Sequence, residues 1–158
     1  MKVAVAAAAV LVAVSAAGAR PVATPGVTSS SILVGGTIPL TGEAAAAAGV
    51  ARGADAYFRY VNARGGVFGR KITYKYVDDG YEPQRTFLAV RQLVQQDGVF
   101  AIFNSLGTSN NAAIRGFLNQ AGVPQLFVAS GASTFGRDYK KYPWTIGFIP
   151  TYSAEGRV

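Results

Sequence analysis

Short apolar runs alternating with amphipathic stretches constrain the fold of this chain more than any other feature of its sequence. Ser31–Ile38 is an apolar run closed by Pro39, which predicts a buried first strand. Val50, Ala54, Tyr57, Phe58 and Val61 then recur at helical spacing, with Arg52, Asp55, Arg59 and Asn62 on the other face, until Gly65-Gly66 stops the helix. The pattern repeats. A second strand over Lys71–Val77 is followed by a helix opened by Pro83, with Phe87, Val90, Leu93 and Val94 facing inward. After Asp97-Gly98, Val99–Phe103 predicts a third strand. A third helix follows, capped by Ser109 or Asn110, with Ile114, Phe117, Leu118 and Ala121 on its apolar face. Gln125–Ala129 and the segment around Trp144–Ile149 predict strands four and five. Strands alternating with helices predict an α/β fold: right-handed crossovers building a Rossmann-like parallel sheet with helices on both faces. Such sheets bind ligands beyond the carboxyl ends of their strands, which selects residues 40–49, 104–110 and 130–134.

Absences narrow the chemistry. The 158 residues contain no Cys and no His, which removes structural zinc, thiol nucleophiles, Ser-His-Asp triads and haem ligation by His. Neither an enzymatic activity nor a cofactor is expected. The net charge is +7, but the basic residues are scattered along the chain, so nucleic acid is not an expected partner. Lys2, the unbroken apolar run Val3–Val14 and the small residues Ser15–Ala19 are in the order of a secretory leader, cut after Ala19. The run is shorter than the roughly 20 residues a membrane span needs. The expected organisation is a signal peptide over 1–19, a mature tail over 20–30, a Rossmann-like lobe over 31–150, and the beginning of a further segment over 151–158. The implied location is periplasmic or extracellular. Tyr152–Val158 reads as the start of another helix with nothing to pack on, so the sequence is expected to be a fragment.

Two loops carry the candidate ligand groups. In Asn104–Asn110, the hydroxyls and helix N-terminal amides around Ser105, Leu106, Gly107 and Thr108 suit a carboxylate or other anion; plain helix capping by the same residues is equally consistent. In Ala129–Thr134, the small residues Gly131 and Ala132 let backbone groups approach a ligand, and Ser133 and Thr134 add hydroxyls. An ordinary glycine turn is the plainer reading of that loop. It is not a phosphate-binding P-loop, because Arg137-Asp138 stands where Lys-Ser/Thr is required. Asp78-Asp79 is read as a source of loop hydrogen bonds rather than a hard-metal site, and Glu43 has no partner for acid–base work. Tyr57, Phe58, Tyr74 and Tyr76 are read as packing.

At these loops the chain resembles a type I periplasmic binding protein. The motifs are Ile38-Pro39-Leu40-Thr41-Gly42, Arg52-Gly53-Ala54-Asp55-Ala56-Tyr57-Phe58 and Val61-Asn62-Ala63-Arg64-Gly65-Gly66-Val67. Gly122-Val123-Pro124, Gly131-Ala132-Ser133, Tyr142-Pro143-Trp144-Thr145 and Ala154-Glu155-Gly156-Arg157 extend the match over the mature chain. In pattern the chain is similar to the leucine/isoleucine/valine-binding proteins of branched-chain amino-acid ABC importers. The resemblance implies the first of two Rossmann-like lobes, with ligand trapped between them and a membrane permease as partner. A ligand-sensing receptor ectodomain of the same fold is the alternative. By the same match Thr108 would grip a ligand carboxylate, Gly131 would offer backbone contacts, and Ser133 would offer both backbone and hydroxyl. The chain departs from the branched-chain pattern in three places. It lacks the run of serines in the third strand's loop, the segment before Gly131 is longer by two residues, and Ala47 or Ala48 replaces the first-loop aromatic. The implied ligand is therefore a branched-chain amino acid or another small carboxylate or amide, and leucine itself does not follow.

The leader makes the first prediction. Mass spectrometry of exported material is expected to find the chain beginning at Arg20; an intact Met1-Lys2 end would overturn the reading.

Overall fold

A computed structural model describes residues 24–157. The leader, its cleavage site and the first residues of the tail lie outside the described residues. Strand β1 (Ser31–Ile38) leads through a 3₁₀ turn (Ala45–Ala48) into helix α1 (Gly49–Ala63) and strand β2 (Lys71–Asp78). Helix α2 (Pro83–Gln95), strand β3 (Ala101–Phe103), helix α3 (Thr108–Ala121) and strand β4 (Gln125–Val128) follow. The chain ends with a short helix α4 (Thr134–Arg137), strand β5 (Thr145–Gly147) and a one-turn helix α5 (Tyr152–Glu155). The strands form one parallel sheet in the order β2-β1-β3-β4-β5. Strand order reverses between β1 and β3, so the crevice between their outgoing loops is the place where such a sheet takes a ligand.

The main core lies between the sheet and helices α2 and α3. Val90, Leu93, Val99, Ile102, Ile114 and Leu118 are buried there, with Phe87, Val94 and Phe117 packed against them. Helix α1 covers the other face through aromatics. Phe58 meets Tyr74 edge-on at 5.6 Å and Phe103 at 5.1 Å. The Tyr74 hydroxyl donates to the Phe103 carbonyl at 3.1 Å, and burial pushes its pKa up. Gly36 makes room for that ring, since a Cβ there would lie 2.5 Å from the Tyr74 hydroxyl.

Polar groups seal the far side of the core. The Gln125 amide donates to Asn111 Oδ1 at 2.9 Å, and its oxygen accepts from the Thr145 hydroxyl at 3.0 Å. Asn119 donates to Thr145 Oγ1 at 2.8 Å, so α3 is tied to both β4 and β5 by satisfied bonds.

The structure revises several expectations. Tyr57 is 64% exposed and stacks on Tyr60, because α1 turns Ala51 rather than Tyr57 to the sheet. Ala121 lies on the surface of α3. Strand β5 is shorter than expected and half bare: Thr145 is buried, but Ile146 and Phe148 are exposed. Residues 134–137, read as loop, form α4. The packing contrast can be measured: Leu118→Ala is expected to lower unfolding stability in urea by about 2–5 kcal/mol, whereas Tyr57→Ala is expected to stay within about 0.5 kcal/mol.

Candidate functional site

The carboxyl ends of β1 and β2 are joined by Asp78. Its Oδ1 accepts from the amides of Leu40 at 2.8 Å, Thr41 at 3.2 Å and Gly80 at 3.0 Å. Its Oδ2 accepts from the Thr41 hydroxyl at 2.6 Å. That hydroxyl, with the backbone amides, holds the Asp78 carboxyl well below the usual carboxylate range. The neighbouring Asp79 points inward and is fully buried. It accepts from the Tyr81 amide at 3.0 Å, the Thr86 hydroxyl at 2.8 Å and the Asn110 side chain at 3.3 Å. Both carboxylates act on loops, as the sequence indicated, and among the described residues no group of His, Cys, Asp and Glu is placed to hold a metal ion.

The loop after β3 is stitched to its neighbours on both sides. The buried Ser105 hydroxyl accepts from the Thr37 amide at 3.0 Å, and its carbonyl accepts from the Ala129 amide at 3.0 Å and from Asn111 Nδ2 at 2.8 Å. The Leu106 amide donates to Thr37 at 3.3 Å, and the Gly107 amide to Ala129 at 3.2 Å. Gly107 has φ of 104° and brings the Tyr81 ring so close that a Cβ would sit 2.7 Å from Cε2. Helix α3 starts one residue later, at Thr108. Neither Ser109 nor Asn110 caps it, contrary to expectation: Asn110 is drawn inward to Asp79, and the N-cap Gly107 has no side chain to offer. The first amides of α3 therefore have no side-chain cap, and Thr108 is exposed beside them.

The loop after β4 closes the same corner. The Thr108 and Ser130 hydroxyls are hydrogen-bonded at 2.7 Å, and Ser130 Oγ accepts from the Ala132 amide at 3.2 Å. Gly131 is buried beneath the Tyr152 ring, and the Tyr152 amide donates to its carbonyl at 2.8 Å. Helix α5 thus does find something to pack on. The hydroxyls of Ser130 and Thr108, with the Gly131 amide, pull the Tyr152 pKa down. Ser133 is half-buried ahead of α4, which its hydroxyl does not cap. Thr134 is engaged elsewhere: its hydroxyl donates to Asp138 and accepts from Arg115 at 2.9 Å. The bond from Arg115 to Thr134 fixes α4 to α3, and the same guanidinium lies over the Tyr142 ring at 3.9 Å. A pocket of about 370 Å³ opens beside this loop, lined by Ser130, Ala132, Ser133, Arg137, Phe148 and Thr151 among others.

Of the residues singled out from sequence, Thr108, Gly131, Ala132 and Ser133 come together at this corner. Gly107 and Leu106 set the backbone, while the hydroxyls of Ser105 and Thr134 serve the scaffold and are not free for a ligand. The sequence reading placed Ser130 in the selected loop without giving it a role, and nothing local to Tyr152 connects it to this corner. The first loop offers no aromatic, and Ala48 is buried in the 3₁₀ turn.

A family model described as periplasmic binding protein matches residues 31–158. The "Leu/Ile/Val-binding protein homolog 3" of Brucella melitensis biotype 1 is 32% identical over 95 residues, 60% of this chain and 26% of the relative. A possible leucine/isoleucine/valine-binding protein from Rhodopirellula baltica superposes with a TM-score of 0.72 at 23% identity, over 86% of this chain and 35% of its own. A fatty acid ABC transporter substrate-binding protein from Thermomonospora curvata superposes with a TM-score of 0.59 at 30% identity, over 67% of this chain and 27% of its own. The chain thus spans about a quarter to a third of the length of these relatives.

The Asp78 hub predicts an acid dependence. A carboxyl depressed in the fold stabilises it above the unfolded value of about 3.9 and loses that contribution as pH falls towards the folded value. Between about pH 5 and pH 2, thermal unfolding is expected to drop more steeply for the unsubstituted chain than for Asp78→Asn; equal slopes would remove Asp78 from the account.

Proposed function

The chain belongs to the periplasmic binding protein family, and from that premise we propose that it is the carboxylate-gripping lobe of an exported substrate-binding protein. The observation that carries the reading is the uncapped start of α3, with the Thr108 and Ser130 hydroxyls beside it. A helix start without a side-chain cap presents amides and a positive dipole end to an anion. Gly131 adds its backbone amide at close range and Ser133 a hydroxyl. All these groups are neutral, so they would hold a carboxylate by hydrogen bonds and release it without breaking an ion pair.

The relatives' names support the same class. Leucine, isoleucine and valine share with fatty acids one feature, a carboxylate on an aliphatic chain, and the conserved part of the chemistry would fall to this lobe. The side chain would be recognised by a second lobe of the kind that the type I resemblance implies. The proposed partner is the membrane permease of an ABC importer, and the proposed location is outside the cytoplasmic membrane.

A single wall leaves the ligand half wet, so binding to this chain is expected in the millimolar range, about −4 kcal/mol. Amide resonances followed by NMR during titration with L-leucine and octanoate are expected to move first at Thr108, Ser109, Gly131 and Ser133, and Thr108→Val is expected to weaken both several-fold. Glucose as the sole effective probe, or shifts confined to residues away from these loops, would overturn the assignment.

A further inference from the structure

Because all five strands run parallel, their amino ends meet on one face of the lobe, opposite the crevice. That face is basic. Arg64, Arg70 and Lys71 stand where the chain enters β2, and Lys140 and Lys141 where it approaches β5. Among the described residues none of the five is in an ion pair. Arg70 and Lys71 donate to the carbonyls of Thr28 and Asn62 and so keep their full charge. The carboxylates on connections leading towards this face already have cations: Asp97 has Lys75 at 2.7 Å and Asp138 has Arg137 at 3.1 Å. Glu43, Asp78, Asp79, Glu82 and Glu155 lie instead at or beyond the carboxyl ends of the strands.

The same face carries aromatics without a partner. Phe68 is 93% exposed at the tip of a two-residue turn, in which Val67 and Arg70 exchange backbone bonds at 2.8 and 3.0 Å. Its φ is 49° and that of Gly69 is 80°, a geometry that favours Asn or Asp in the first place. A bulky apolar residue stands there against the turn's own preference, and the lobe leaves its ring in solvent. Tyr60, half-exposed near the end of α1, lies under the Arg64 guanidinium at 3.6 Å. At the opposite edge of the sheet, about 19 Å away at the usual strand spacing, Trp144 is half-exposed. It shares an apolar hollow of about 290 Å³ with Pro25, Val99 and Phe100.

We propose that this face rests on an anionic lipid surface, with Phe68 and Trp144 entering the headgroup layer and the five cations over its phosphates. Charge complementarity selects the occupant, since each Lys or Arg held near an anionic leaflet adds to binding. Exposed aromatic rings suit the boundary between headgroups and acyl chains. The spacing favours lipid over a protein partner. Hot spots of protein interfaces cluster in a central, desolvated pocket, whereas here each aromatic stands at one edge of the sheet with cations of its own. The consequence is an orientation: the amino ends lie on the membrane and the crevice faces away from it. The carboxylates around the crevice act in the same sense, because an anionic surface repels that end. The proposal does not depend on what the crevice binds.

The test is co-sedimentation of the exported chain with vesicles of phosphatidylcholine alone, or with about one-third phosphatidylglycerol. Binding is expected to the second only, falling several-fold as salt is raised to physiological strength. Phe68→Asn installs a residue the turn favours, so its unfolding curve is expected to match or exceed the original while binding falls about tenfold. Lys140→Gln with Lys141→Gln is expected to weaken binding about tenfold as well. Arg52→Gln with Arg157→Gln removes the same charge from the crevice end and is expected to weaken it less than about twofold. The emission of Trp144, the chain's single tryptophan, is expected to move to shorter wavelength on the anionic vesicles. Equal losses from the two double variants would reduce the binding to net charge and overturn the proposal. Unchanged binding by Phe68→Asn, or an unmoved Trp144 spectrum, would overturn it too. So would failure to bind either vesicle, and self-association abolished by Phe68→Asn would then assign the face to a second copy of the chain.

Discussion

Two adjacent carboxylates at the end of β2 point to opposite sides of the chain, and the loops around the candidate site depend on that divergence. Asp78 reaches out and gathers the loop after β1, while Asp79 reaches in and fixes the starts of α2 and α3. The buried Asp79 has hydrogen-bond donors where a buried charge needs them, from a backbone amide, a hydroxyl and a side-chain amide. Drawing Asn110 down to Asp79 has a consequence one turn away. The residue best suited to cap α3 is unavailable to it, and the helix start is left open towards the crevice.

The sheet around this hub is covered unevenly for a topological reason. Right-handed crossovers place the helix of a leftward connection on one face and those of rightward connections on the other. Only β1 to β2 runs one way in this strand order; the later steps run the other. Helices α2 and α3 therefore share one face and build the main core, while α1, alone among the described residues, covers the opposite face near β1 and β2. Beyond β3 on the α1 side, Phe103, Phe127 and Phe148 form a continuing edge-to-face row, increasingly exposed towards β5.

The corner itself is made of neutral donors on rigid supports. The β3 loop is pinned to β1 and β4 through main-chain bonds, and Gln125, Asn111 and Thr145 lock α3 against the strands beneath. Such an arrangement holds hydrogen-bonding groups in fixed positions, as the proposed grip on a carboxylate requires.

Strand and helix placement was legible in the sequence because it rests on local periodicity: Ser31–Ile38 as a strand and the α2 stripe of Val90 and Leu93 follow from neighbours a few residues apart. The order of glycine and small-residue loops likewise placed the candidate site at the ends of β3 and β4. Tertiary structure alone decided which hydroxyls in those loops are available. Ser105 is engaged by Thr37, 68 positions away, and Thr134 by Arg115, 19 away. Ser130 pairs with Thr108, 22 away. The neighbour of Gly131 was invisible for the same reason: the Tyr152 ring meets it only after β5 has paired in parallel with β4. A side chain's chemistry is written in the sequence, but its partner is set by the register of strands that the chain brings together over long distances.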